Sequence, residues 1–165
     1  MALNLLRSHA RQSVGIAPLP QNPTVWRPWL PNVSAIPVTN LLVDSDILID
    51  FTRGIDEARD FLAGVWSIHE VGISCITQME LFVGARDKAE QRRIEQFLTQ
   101  FEIVSISDAI STVAVGLIQK YHLSHGLAIP DALIAATVLH LDVPLVTKNV
   151  RDFKFIKGLR LTAYP

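Results

Sequence analysis

The sequence predicts an α/β fold in which a parallel sheet is covered by helices on both faces. Two observations predict it. Short apolar runs alternate along the chain with longer segments at helical spacing, the order expected of a layered α/β domain. With 165 residues, about one domain in length, of which 49% are hydrophobic and 19% charged, the chain has ample material for a buried core.

"TNLLV" (39–43) is a short apolar run that ends in acid, as a buried strand would. "ILIDF" and then "IDEARDFLAGVW" (55–66) place Ala58, Phe61, Leu62 and Val65 at helical spacing. "EVGISCI" (70–76) is short and β-branched and predicts a second strand. "TQMELFVGAR" (77–86) opens on Thr and continues as a helix. "KAEQRRIEQFLTQF" (88–101) is an amphipathic helix with Ile94, Phe97, Leu98 and Phe101 on one face. "EIVSI" (102–106) predicts a third strand. "SDAISTVAVGLIQKYHL" (107–123) is helical until Gly126 breaks it. "PDALIAATVLHL" (130–141) starts with Pro, which suits a first helical turn, and is apolar nearly all round, as a buried helix is. "VPLVT" (143–147) and "LRLTA" (159–163) complete the set, the last at an edge.

Composition divides the chain near Asn40. Residues 1–40 carry Arg7, Arg11 and Arg27, no acid and six of the nine prolines, so the remainder carries 12 basic against 16 acidic residues. Residues 1–39 are expected to form an irregular, disordered extension. Basic and acid-free, this stretch also suits a targeting peptide, although it lacks the apolar core of a secretion signal. No apolar run reaches the roughly 18 residues of a membrane span. The single Cys75 excludes an internal disulfide and a paired-cysteine zinc site. It fits a reducing compartment, and the expected location is the cytoplasm.

In an open parallel sheet, ligands bind beyond the carboxyl ends of the strands. Asp44 directly follows the first predicted strand, Glu80 lies four residues after the second and Asp152 five after the fourth. Asp131 opens the buried helix. Singly, each has a structural explanation. Thr77 and Glu80 fit a capping box, Asp131 complements a helix dipole, Asp152 closes a turn after Asn149, and Asp46 and Asp50 face solvent from a short helix. Together they are harder to account for. Two carboxylates about 4 Å apart repel by roughly 4 kcal/mol at an effective dielectric of 20. A divalent cation is the natural partner, and hard oxygen donors favour Mg²⁺ or Mn²⁺ over zinc.

The segments "LLVDSDILIDF" (41–51), "TQMELFVGA" (77–85), "IPDALIAATVLH" (129–140) and "LVTKNVRDF" (145–153) resemble, in order and spacing, the successive motifs of PIN-domain ribonucleases. Within that family the chain is most similar to the VapC-type toxins of bacterial toxin–antitoxin pairs, over about residues 41–162. The resemblance implies a three-layer α/β/α PIN-like fold spanning residues 40–165, with a central parallel sheet. It implies that Asp44, Glu80 and Asp131 form an acidic metal-binding triad for Mg²⁺ (or Mn²⁺). The last motif adds Asn149 and Asp152, with the Thr147 hydroxyl nearby to orient water or phosphate. Many PIN domains carry their fourth acid at the position of Asn149, so Asp152 is the expected substitute ligand here.

The implied reaction is endonucleolytic hydrolysis of RNA, and the implied partners are an antitoxin protein and a second copy of the chain. The helix at 88–101 offers either an interface or a core face. Lys148, Arg151, Lys154, Lys157 and Arg160 form a basic stripe that suits phosphate contacts. His69, His122, His125 and His140 are expected at the surface or at helix ends. Two other readings compete. In a haloacid dehalogenase-like phosphatase Asp44 would be a nucleophile and Asp46 an acid, but Ile47-Leu48 departs from that pattern. In a non-catalytic RNA-binding or scaffold domain the acids would serve only as caps, and Mn²⁺ would not bind.

Overall fold

A computed structural model describes residues 39–66, 69–162 and 164. The expected N-terminal extension, residues 1–39, lies outside these except for Thr39. The elements in chain order are β1 (Leu41–Val43), α1 (Ser45–Thr52), α2 (Asp56–Trp66), β2 (Val71–Ser74), α3 (Cys75–Gly84), α4 (Lys88–Leu98), β3 (Glu102–Val104), α5 (Asp108–His125), α6 (Ile129–Leu141), β4 (Leu145–Val146), α7 (Val150–Phe153) and β5 (Leu161–Thr162).

The five strands form one sheet in the order β3-β2-β1-β4-β5, with every pairing parallel. Side chains of a strand alternate between faces. Leu42 of β1 and Leu145 of β4 pack with Ile110, Ala114 and Leu117 of α5 and Ile134, Ala135 and Val138 of α6. Leu41, Val43, Ile73 and Val146 point the other way, onto Ile47 and Leu48 of α1, Leu62 of α2, and Ile94 and Phe97 of α4. These two buried clusters give the three-layer arrangement expected from the sequence. Ile94, Phe97, Leu98 and Phe101 are all buried. The apolar face of α4 is therefore spent on the monomer core, which removes it as a candidate interface. Helix α6 is buried through Ala132, Ile134, Ala135, Ala136, Thr137 and Val138, as its all-round apolar sequence predicts.

The chain winds outward from β1 to β2 and β3, then returns to the other side of β1 to make β4. The winding thus reverses between β1 and β4, and the crevice of such a fold opens at the carboxyl ends of those two strands. Asp44 and Thr147 are the residues that immediately follow them.

The close approach of β2 to its neighbours depends on Gly72. A Cβ there would stand 2.6 Å from two side-chain atoms of Thr39 and 3.2 Å from the Glu102 carbonyl oxygen. The Thr39 side chain is itself held, its hydroxyl donating to Glu102 Oε2 at 3.1 Å. Gly72→Ala is expected to lower stability by about 1–3 kcal/mol, the usual cost of overpacking. Urea denaturation measures it, and an unchanged midpoint would mean that Thr39 swings aside freely.

Candidate active site

The site begins with how β1 ends. Asp44 donates its backbone N–H to the Val146 carbonyl at 2.9 Å, which locks the strand end to β4. It is also the N-cap of α1, its Oδ1 accepting from Ser45 N at 2.8 Å. The residue is only 6% exposed. Its other oxygen, Oδ2, accepts from the Thr147 hydroxyl at 2.8 Å. Thr147 is fully buried, and its oxygen also accepts from Asn149 N at 3.0 Å. The Thr147 hydroxyl thus orients Asp44, a contact that the sequence did not suggest.

Asp46 also departs from expectation. The sequence suggests that it faces solvent. It is half-buried instead, with Oδ2 accepting from Lys148 N at 2.8 Å, Asn149 N at 3.1 Å and the Thr147 hydroxyl at 3.2 Å. Asp50, one turn further along α1, is ion-paired with the Lys148 ammonium. Both residues bear on the site, and a signal in the sequence was the i, i+4 spacing of Asp46 and Asp50 on a short helix beside Asp44.

Burial and like charge act together on these acids. Burial is the largest influence on Asp44, followed by the neighbouring Asp46 carboxylate and, more weakly, Glu80. The hydrogen bonds from Thr147 and Ser45 oppose them, and the net result pushes the Asp44 carboxyl up from 3.8 to about 7. Burial also raises Asp46, against the pull of the amides and hydroxyl that it accepts from.

Glu80 is half-buried in α3. The capping box proposed for it does not form: Ser74 is the N-cap of α3, its hydroxyl accepting from Ile76 N at 3.2 Å. Thr77 lies inside the helix, fully buried, with no hydrogen-bond partner for its Oγ1. Glu80 acts electrostatically on Asp44. Asp131 is half-buried in the first turn of α6, as expected, and α6 packs against α3. Asp152 and Asn149 bond to each other, with Asn149 Nδ2 donating to Asp152 Oδ2. The basic stripe is split: Lys148 stands at the site, whereas Arg160 is held by Asp142 at the amino end of β4. His69, His122, His125 and His140 are all exposed.

The donors present fit a hard divalent cation. They are all oxygens, and Asp44 is held where its charge is disfavoured unless a cation offsets it. Among the described residues, no three His, Cys, Asp or Glu side chains stand closed around a point ready to hold an ion. Asp46 and, more weakly, Glu80 are carboxylates that act on Asp44. No helix among the described residues is long and apolar enough to cross a membrane.

The PIN domain family matches residues 41–158. "Ribonuclease VapC10" of Mycobacterium tuberculosis is 35% identical over 121 residues, covering 73% of this chain and 90% of that protein. "Ribonuclease VapC1" of Methanocaldococcus jannaschii is 31% identical over 130 residues, covering 76% and 88%. Among solved structures, a toxin–antitoxin complex from Klebsiella pneumoniae aligns with a TM-score of 0.62 at 36% identity, over 72% of this chain and 94% of that one. VapBC2 from Rickettsia felis, bound to a DNA fragment from its promoter, aligns with a TM-score of 0.66 at 25% identity, over 76% and 98%.

Proposed function

The chain belongs to the PIN domain family, and from that membership we propose that it is the endoribonuclease toxin of a toxin–antitoxin pair, hydrolysing RNA phosphodiester bonds with Mg²⁺ or Mn²⁺ at the carboxyl edge of its sheet. The observation that carries this reading is Asp44, buried at the point where the sheet order reverses and subject to the like charges of Asp46 and Glu80. Membership of this family replaces the phosphatase reading of the Asp44-Ser45-Asp46 start.

Asp44, Glu80 and Asp131 are the residues that would hold the cation, with Asp152 as a further candidate. A bound divalent cation supplies a water of lowered pKa and neutralises charge on the phosphate. The chain's own residues do the rest. Thr147 fixes the direction of the Asp44 carboxylate. The β1–β4 ladder gives that carboxylate a rigid mount. Lys148 is half-exposed at the site and paired with Asp50, so an RNA phosphate arriving there competes for a cation already in position. A side-chain nucleophile is not required.

The same reading assigns a protein antitoxin as partner, a second copy of the chain as dimer mate and the cytoplasm as the place of action. The antitoxin partner is supported by the likeness to the Klebsiella toxin–antitoxin complex.

A covalently closed RNA circle provides the test, because it has no ends for an exonuclease. The purified chain with Mg²⁺ is expected to convert circle to linear RNA, EDTA to stop the conversion and fresh Mg²⁺ to restore it. A circle that persists while linear RNA shortens from its ends contradicts the endonucleolytic reading. Persistence of both forms of ribosomal, transfer and messenger RNA alike contradicts nuclease activity.

A further inference from the structure

We propose that Asp46 is a positioning residue of this nuclease site, splinting the segment 147–149 against α1 and thereby fixing both the hydroxyl that holds Asp44 and the ammonium of Lys148. The inference rests on the reading of Asp44 as part of the active site. Residues 147–149 belong to neither strand nor helix, so no ladder directs their amides. Both amides are aimed at one carboxylate oxygen, Asp46 Oδ2, which accepts from Lys148 N at 2.8 Å and from Asn149 N at 3.1 Å, the latter shared with Thr147 Oγ1 at 3.0 Å; the single Thr147 proton, given mainly to Asp44 at 2.8 Å, lies within a longer 3.2 Å reach of the same oxygen. Amides aimed at a carboxylate make charge-assisted bonds, stronger than those to a neutral acceptor. The bonds tie segments about a hundred positions apart in sequence, and they are the ones that hold the backbone amides of Lys148 and Asn149 to α1.

The splint reaches the reacting region at two points. Thr147 gives its hydroxyl to Asp44 Oδ2, so the loop sets the orientation of the most buried acid of the site. Asp50, on the same face of α1, takes the side chain of Lys148 while Asp46 takes its backbone. Two acids one turn apart therefore hold a single lysine at both ends. Because Asp46 Oδ2 is committed to the loop, its role runs through Thr147 and Lys148 rather than through contact with RNA.

The test pairs amide hydrogen exchange with steady-state cleavage in the full chain. In Asp46→Ala, the Lys148 and Asn149 amides are expected to lose protection while amides of β1 and α6 keep theirs. In the same variant kcat is expected to fall by about 10- to 100-fold, the usual effect of losing an outer-shell partner, with a smaller change in KM. Asp46→Asn keeps an oxygen that can accept from the same amides and is expected to restore both the protection and most of the rate. Exchange decides the positioning claim even if the chain cleaves no RNA. Protection at Lys148 and Asn149 unchanged in Asp46→Ala overturns the splint. A rate as low in Asp46→Asn as in Asp46→Ala, with protection restored, overturns the positioning role in favour of a direct use of the charge.

Discussion

Asp44→Asn is expected to cut RNA cleavage by more than the roughly 100-fold typical of outer-shell losses, while the protein stays folded. The amide keeps the shape of the side chain and an oxygen to accept from Thr147 or Ser45. It removes the negative charge that a divalent cation needs at the switch between β1 and β4. A merely structural Asp44, acting as the N-cap of α1, would behave otherwise, since Asn caps helices about as well as Asp. Cleavage and thermal melting of the same preparation separate the two roles. Activity near the parent level would leave Asp44 as a cap only.

The metal-free protein is expected to lose stability as pH rises from about 4 to about 7. The Asp44 carboxyl is raised from 3.8 to about 7, chiefly by burial and then by Asp46 and Glu80. Between those values the folded chain holds a proton that the unfolded chain releases. The associated stability is fully present below about pH 4, declines as pH rises and is gone above about pH 7. The direction is opposite to that of a salt-bridged carboxylate. Its size is at most roughly 4 kcal/mol, because each tenfold change in proton affinity corresponds to about 1.4 kcal/mol. Urea melts across this range in EDTA are expected to show the decline, and Asp44→Asn is expected to flatten it. Added Mg²⁺ is expected to restore stability at the neutral end, since a ligand that binds only the folded state stabilises it. A parent curve as flat as that of Asp44→Asn would contradict the account.

Much of the fold was legible because the segments that make it are short and strongly patterned. The alternation of apolar runs with helix-spaced segments placed all five strands, and the apolar circumference of α6 announced its burial. What escaped was local chemistry. The run 70–76 reads as one strand, yet Ser74 caps α3 and the helix begins at Cys75 with no loop between. Burial of Thr77 in that helix could not be told from a cap, because a Thr three residues before a Glu has the same spacing in either case. The four-residue α7 carries too little pattern to be seen.

The acids themselves were visible in sequence, Asp44 most plainly because it ends an apolar strand. Their hydrogen bonds were not. Asp46 and Thr147 lie 101 positions apart, and only the parallel pairing of β1 with β4 brings them together. The same pairing shows that Lys148 stands beside the acids, whereas Arg160, from the same basic stripe, is drawn to Asp142 at the other end of β4.

Calorimetric titration of the full chain with Mn²⁺ near neutral pH bears most directly on the proposal that these carboxylates form a cation site. The parent is expected to bind the ion and Asp44→Asn to give no measurable heat of binding. A parent that takes up no Mn²⁺, or an Asp44→Asn variant that binds it as the parent does, would contradict the proposal.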